Sequence, residues 1–211
     1  MEPHQSLEAL ARELAGLPPS LGPVRLIGVD GHAGSGKTTF AARLGEALGG
    51  APVVHLDEVA THEELFGWAG RLWAQVLEPL AAGRPAHWAP YDWVERRFGA
   101  ARVLEPAPVV LLEGVGAGRR VLRPHLAGLL WMETPRAVSW GRGRKRDGRE
   151  LSDFWDGWER AERAHFVDDP SRPFADTVVR QSGTGYEWTS GAVATPEAPG
   201  IVTERDGLPR A

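Results

Sequence analysis

Apolar positions along the chain change period repeatedly, and each change predicts a new element. Near the start, Leu7, Leu10, Ala11 and Leu14 recur at i, i+3, i+4 and i+7, which predicts a short amphipathic helix. Pro18, Pro19, Gly22 and Pro23 end it. The run VRLIGVD at 24–30 has the short, uninterrupted apolar character of a buried parallel strand. A glycine-rich turn follows, and 37–48 returns to helical spacing with Phe40, Leu44 and Leu48 on one stripe and Gly49-Gly50 as the stop. PVVHLD at 52–57 predicts a second buried strand. From 62 to 82, Leu65, Trp68, Leu72, Trp73, Val76 and Leu80 predict a crossover helix that Gly83 and Pro85 end.

Short mixed runs at 85–105, around PYDWVERRFG, predict an antiparallel hairpin projecting from the sheet. Three further strand-like runs stand at 109–113, 128–133 and 176–179, separated by helical stretches. This order predicts an α/β fold with a five-stranded parallel sheet, helices on both faces, and a ligand site outside the carboxyl ends of the strands. Asp30, Asp57 and Glu113 all fall at such ends. The expected organisation is a helix and linker at 1–22, a main domain at 23–180 with the hairpin at 84–106 and a lid region at 142–168, and a tail at 181–211. Residues 181–211 hold five Gly, three Pro and six Ser/Thr, which predicts an irregular tail.

Composition narrows the chemistry. With 211 residues, 42% hydrophobic and 25% charged, the chain has the makeup of an ordinary globular domain. Zero cysteines exclude a disulfide framework, thiolate metal sites and cysteine nucleophiles. No basic start with an apolar core is present, and no apolar run approaches the ~20 residues needed to span a bilayer, so a cytoplasmic protein without membrane insertion is expected. The cations are lopsided: of 24 Lys+Arg only Lys37 and Lys145 are lysines.

Lys37 lies in Gly31-His32-Ala33-Gly34-Ser35-Gly36-Lys37-Thr38, which satisfies G-x-x-x-x-G-K-[ST] between a strand and a helix. Such a loop points backbone N–H groups and a helix N-terminus at phosphate oxygens. The expected nucleotide contacts are Gly31, Ala33, Gly34, Ser35, Gly36, Lys37, Thr38 and Thr39, with the Thr38 hydroxyl on magnesium. A compact ammonium fits between phosphates better than a guanidinium fork, which accounts for a lysine here. These residues predict a P-loop NTP hydrolase fold that binds a nucleotide, ATP, with Mg2+. The later glycines of the 114–118 loop lack dinucleotide spacing.

Glu113 closes its strand where an acid can order the metal. Asp57, across the crevice, can accept a hydroxyl proton and touch the metal, with Glu58 as its nearest rival. Five cations crowd 142–149, with Arg142, Arg146 and Arg149 on one helical face. A closing lid with hinging glycines explains that density, Arg142 and Arg144 on the nucleotide and Arg146 and Arg149 on the transferring group. A solvated basic surface or a nucleic-acid patch is the alternative, against which stand the net charge of -4 and the lack of a nucleic-acid motif. A metal cage of His55, Asp57, Glu58 and His62 is disfavoured against ordinary packing, and Trp73, Trp131 and Trp155 are expected in the core.

VDGHAGSGKTT, HLDE, PYDW, VVLLEG, RKRDGRELSDFW and PSRPFADTVV together resemble the P-loop kinases of the uridine kinase and phosphoribulokinase-like group over roughly residues 24–179. The resemblance implies ATP and magnesium at Lys37 and Thr38, Asp57 as general base, Glu113 at the metal, Tyr91 near the acceptor, and a lid carrying Arg144, Arg146 or Arg149. It also implies an acceptor site touching Asp57, Trp68, Tyr91, Arg96 and Arg149. Two departures stand out. Where that group holds ribose hydroxyls with Phe-Asp, the matching pair is Trp68-Ala69, and alanine accepts no hydrogen bond. Where it reads the pyrimidine with histidine, Glu95-Arg96 stands. The expected partners are ATP and a small hydroxylated molecule, with neither nucleic acid nor membrane and with a homo-oligomer left open. The alternatives are a kinase for a non-nucleoside alcohol and a non-catalytic ATP-binding regulatory module.

Overall fold

The apolar runs pair into one sheet in the computed structural model, which describes residues 6–191. Its strands are β1 (Arg25–Asp30), β2 (Val53–His55), β7 (Val109–Glu113), β8 (Gly128–Met132), β9 (Thr177–Ser182) and β10 (Gly185–Ser190). They lie in the order β10-β9-β8-β1-β7-β2. All neighbours are parallel except β10, which runs antiparallel to β9. The expected five parallel strands are therefore present, and a sixth strand extends the sheet.

That sixth strand corrects the expectation of an irregular tail from residue 181. Gly183-Thr184 form a two-residue turn, and the alternating Tyr186 and Trp188 turn their rings onto the sheet's packed face, with Tyr186 edge-on to Phe40 at 4.9 Å between centroids. The Gly and Ser/Thr content masked a period-two pattern in only six residues. The expected tail beyond residue 191 lies outside the described residues.

Period two distributes each strand between two cores. Leu26, Val110 and Leu112 face α3 (Ala69–Leu72), a π turn (Trp73–Leu77) and α4 (Glu78–Ala81), which run on as one helix. Ile27, Val29, Leu111, Leu130 and Met132 face α1 (Leu7–Ala15) and α2 (Lys37–Ala47). Full burial of such a side chain contributes about 1.5–3 kcal/mol.

Three local expectations shift. The second strand ends at His55 rather than Asp57, because its single parallel neighbour β7 ends at the paired Glu113; 3-10 geometry follows over Leu56–Glu58. The crossover helix starts at Ala69 rather than 62, after a turn in which the Thr61 hydroxyl accepts from the Glu64 N–H at 3.1 Å. Pro79 has no N–H to return to the preceding turn, and the π turn directly precedes it. Trp73, expected in the core, is 37% exposed and tilts against His125.

The hairpin forms as expected. β3 (Ala86–Trp88) pairs with β6 (Arg102–Leu104), and β4 (Tyr91–Asp92) with β5 (Arg97–Phe98), both antiparallel. The lid region folds as α5 (Arg136–Asp147) and α6 (Ser152–Asp168). With β1 central and its successors placed on either side, the carboxyl end of β1 is the topological switch point where a ligand crevice opens.

Candidate active site

The loop at 31–38 leaves β1 at that switch point. Gly34 (φ +82°) and Gly36 (φ +94°) take left-handed conformations that a side chain resists. At Gly34 a Cβ would also fall 2.1 Å from the Ser139 carbonyl of α5, so loop and lid helix touch backbone to backbone. Gly36 is the N-cap of α2, and no side chain caps that helix end. Its first N–H groups are thus left to meet an anion. Lys37 is buried, its Nζ donating to the His32 carbonyl at 3.0 Å.

Thr38 Oγ1 donates to Glu113 Oε2 at 3.3 Å, and His55 Nδ1 lies 2.7 Å from the same oxygen. A carboxylate only accepts, so the imidazole donates and orients Glu113. That hydrogen bond is the main cause of a His55 pKa above its ordinary value. Hydroxyl and carboxylate oxygens on a helix N-terminus and strand end are the hard donor set magnesium takes, and the uncapped α2 N-terminus beside them suits a phosphate chain. The residues present therefore fit a magnesium-nucleotide complex. Among the described residues no group of three or more His, Asp or Glu side chains forms a metal cage.

Asp57 stands opposite. No donor among the described residues hydrogen-bonds its carboxylate, whereas its rival Glu58 accepts from Trp88 Nε1 at 2.9 Å and Arg102 Nη1 at 2.5 Å. Asp57 is open to water at the floor of the crevice yet walled by protein, and burial, then the charge of Glu113, push its carboxyl above the usual range.

Asp57, Lys37, Thr38 and Glu113 share one cavity of about 350 Å³ with Ala33, Gly34, Trp68 and Arg146. Tyr91 lines the adjoining hollow on the hairpin side, where Thr38 and Asp57 also reach, and its hydroxyl meets His62 Nδ1 at 2.9 Å. Burial, with the charge of Arg96 behind it, lowers the His62 pKa. Arg142 lines a separate hollow beside His32 and Thr134.

Other expected residues are elsewhere. Arg144 is paired with Asp156 at 2.5 Å and Glu159 at 2.6 Å, joining α5 to α6. Arg149 borders an outer hollow with Lys145 and Ser152. Arg96 sits at the hairpin tip with φ +53°, 3.9 Å from Glu63, where it replaces no base-reading group in the cavity. Ala69 is the first residue of α3 and Trp68 its N-cap. Nor is Gly143 a hinge: a Cβ there would fall 2.1 Å from the Trp155 ring, so its role is close packing of α5 on α6.

Sequence reasoning passed over Glu162. This fully buried carboxylate of α6 accepts from His32 Nδ1 at 2.7 Å, Ala33 N at 3.2 Å, Trp140 Nε1 at 3.1 Å and Trp158 Nε1 at 2.8 Å. Burial pushes its carboxyl up, but the bond from His32 and the other donors bring it below the ordinary value. The signal available in the sequence was an acid sharing one helix face with Trp155, Trp158 and His165. Asp30 was singled out only by its strand end; wholly buried, it accepts from the N–H groups of Gly31, Gly116 and Gly118 and ties the 114–118 loop to the phosphate loop.

Strand order, phosphate loop and crevice together define the fold of the P-loop kinases. The chain is similar to the uridine kinases of Borrelia duttonii (strain Ly), 24% identical over 182 residues covering 76% of this chain and 88% of that protein, and of Borrelia hermsii (strain HS1 / DAH), 25% identical over 183 residues with the same coverage. Among solved structures it resembles one described as a "Possible Uridine Kinase from Bacillus stearothermophilus" (TM-score 0.53, 19% identity, 71% of this chain and 89% of that chain). It also resembles one described as a "putative fructose transport system kinase from Silicibacter sp. TM1040" (TM-score 0.55, 20% identity, 79% of this chain and 90% of that chain). No protein-family model matches the chain.

Proposed function

We propose that the protein is an ATP-dependent kinase that transfers the γ-phosphoryl group to a hydroxyl of a small molecule. The observation that carries this reading is the unbonded Asp57 carboxylate facing the cavity that Lys37 and Thr38 also line. A proton acceptor opposite a phosphate loop is what hydroxyl phosphorylation needs, whereas a purely regulatory nucleotide switch has no use for it. Thr38 and Glu113 would hold magnesium, which supplies charge neutralisation across the phosphates when bound. Lys37 and the N-terminus of α2 would bind and orient the phosphate chain, and Arg146, which also lines the cavity, would face the developing charge. Asp57, its carboxyl pushed up by burial, would take the acceptor proton.

The likeness to uridine kinases supports phosphotransfer, and the chain's own residues favour a different acceptor from uridine, since Ala69 and Arg96 do not reproduce the polar readers of that group. No helix among the described residues is long and apolar enough to cross a membrane. The test is ADP formation by the full chain with ATP, magnesium and a panel of hydroxylated metabolites. Turnover should vanish in Lys37→Ala; a Lys37→Ala protein with undiminished acceptor-dependent turnover would refute the assignment.

A further inference from the structure

Beyond the phosphate end, the walls of the 350 Å³ cavity are rings and aliphatic groups: His62, Leu65, Trp68, Trp93, Phe154 and Trp158. Trp93 and Phe154 meet at 5.8 Å, and Phe154 stacks on Trp158 at 6.2 Å and 27°, so hairpin and α6 supply one continuous aromatic wall.

Most of the indole N–H groups around that wall are already engaged, Trp68 Nε1 being the exception. Trp93 Nε1 donates to the Asp57 carbonyl at 3.0 Å, and Trp158 Nε1 to Glu162 at 2.8 Å. Trp155 Nε1 donates to Asp147 at 3.1 Å, and Asp147 in turn binds Arg146. His62 Nδ1 is engaged by the Tyr91 hydroxyl. Trp93, Trp155 and Trp158 keep their N–H bonds for the protein and present faces and edges to a ligand, which leaves Trp68 Nε1 and His62 Nε2 as the few polar atoms of an otherwise apolar wall. The charged groups lining the cavity are those of Asp57, Glu113, Lys37 and the paired Arg146 and Asp147, which belong to the strand ends, the loop at 31–38 and the end of α5.

A site that recognises a hydroxyl-rich molecule must offer hydrogen bonds to it, because a buried, unpaired hydroxyl costs about 1–3 kcal/mol. A cavity with rings on one side and a proton acceptor on the other selects an amphipathic alcohol instead. We infer that the acceptor is an alcohol with an apolar, ring-bearing body, its ring held among Trp68, Trp93, Phe154 and Trp158 and its single hydroxyl set at Asp57. This rests on the kinase reading above. In the transfer, the acceptor oxygen bonds the γ-phosphorus of a nucleoside triphosphate while the bond to the β–γ bridging oxygen breaks. The hydroxyl proton passes to the Asp57 carboxylate, and the nucleoside diphosphate leaves with the electron pair.

The experiment offers the full chain, with ATP and magnesium, 2-phenylethanol, indole-3-ethanol, uridine and fructose, and follows phosphate esters by phosphorus NMR. The expected kcat/KM for the aryl alcohols exceeds that for uridine and fructose by about tenfold or more. Phe154→Ala should raise the aryl-alcohol KM about tenfold with little change in kcat. Leu65→Asn, with the same number of side-chain heavy atoms and the same branching, should shift preference toward the hydroxyl-rich acceptors and stands in if Phe154→Ala does not fold. Preference of the wild type for uridine or fructose overturns the inference and keeps the kinase. Saturable 2-phenylethanol binding by calorimetry without phosphorylation of any alcohol keeps the apolar site and overturns the kinase. Absence of both binding and turnover of the aryl alcohols overturns the inference, whatever else is phosphorylated.

Discussion

His32 Nδ1 and Glu162 Oε1, 130 positions apart in the chain, stand 2.7 Å from each other. The imidazole belongs to the phosphate loop and the carboxylate to α6. Glu162 also receives Trp140 of α5 and Trp158 of α6, so one buried anion joins the phosphate loop to both lid helices. This bond and the packing of Gly143 on Trp155 hold α5 and α6 together beside the loop.

Glu162→Gln should therefore lower stability by about 2–4 kcal/mol, because an amide offers one acceptor oxygen to four converging donors and turns its own N–H groups against them. Thermal and urea melts of wild type and variant check this. Nucleotide affinity, measured by calorimetry, should fall as His32 and the Ala33 amide lose their partner. A variant as stable as wild type would show that the four hydrogen bonds contribute nothing net.

The same carboxylate sets part of the acid limb of stability. Its folded pKa lies below the ordinary value of 4.5, so its contribution is fully present above that value and is lost as pH falls through the lower, folded pKa. Stability measured from neutrality down through the carboxylate range should decline less steeply at the acid end in Glu162→Gln than in wild type.

Asp57→Asn keeps the shape of the crevice and removes the proton acceptor. Turnover should drop by roughly 10²–10⁴-fold while nucleotide affinity stays near wild type. Single-turnover phosphoryl transfer together with titration of an ATP analogue separates the two effects. Glu58→Gln should instead act on the hairpin, since its partners are Trp88 and Arg102.

Two glycines two residues apart within α5, and so on opposite faces of it, should respond in opposite directions to alanine. At Gly143 the added carbon meets the Trp155 ring at 2.1 Å, which should cost about 1–3 kcal/mol. At Gly141 nothing lies within 4 Å, and Gly141→Ala should be neutral or stabilise by up to about 1 kcal/mol. Melting temperatures of the two variants test whether α5 is packed or hinged.

Much of the framework was legible in the residues themselves. The glycine-rich loop after β1, the strand end carrying Glu113 and the five parallel strands depend on spacing within short segments, and local spacing is what a sequence displays directly. Tyr186 and Trp188 were legible too, as alternation in a strand of six residues, but glycine and threonine counts around them pointed the other way. That Asp156 and Glu159 hold Arg144 was not legible, because charge density marks a segment and does not say which cation an acid across the fold will claim.

By itself, then, the sequence determined that Lys37 and Thr38 would stand at a helix N-terminus beyond a buried strand, since neighbours in the chain decide that. Only the tertiary structure decided that Glu162 would meet His32 and that Trp93 and Trp158 would turn their N–H groups inward. It also decided that Asp57 rather than Glu58 would keep a free carboxylate. Those outcomes hang on how α6 and the hairpin are rotated against the sheet. A hydrogen bond that is satisfied or lost within a few tenths of an ångström is settled by packing among distant segments.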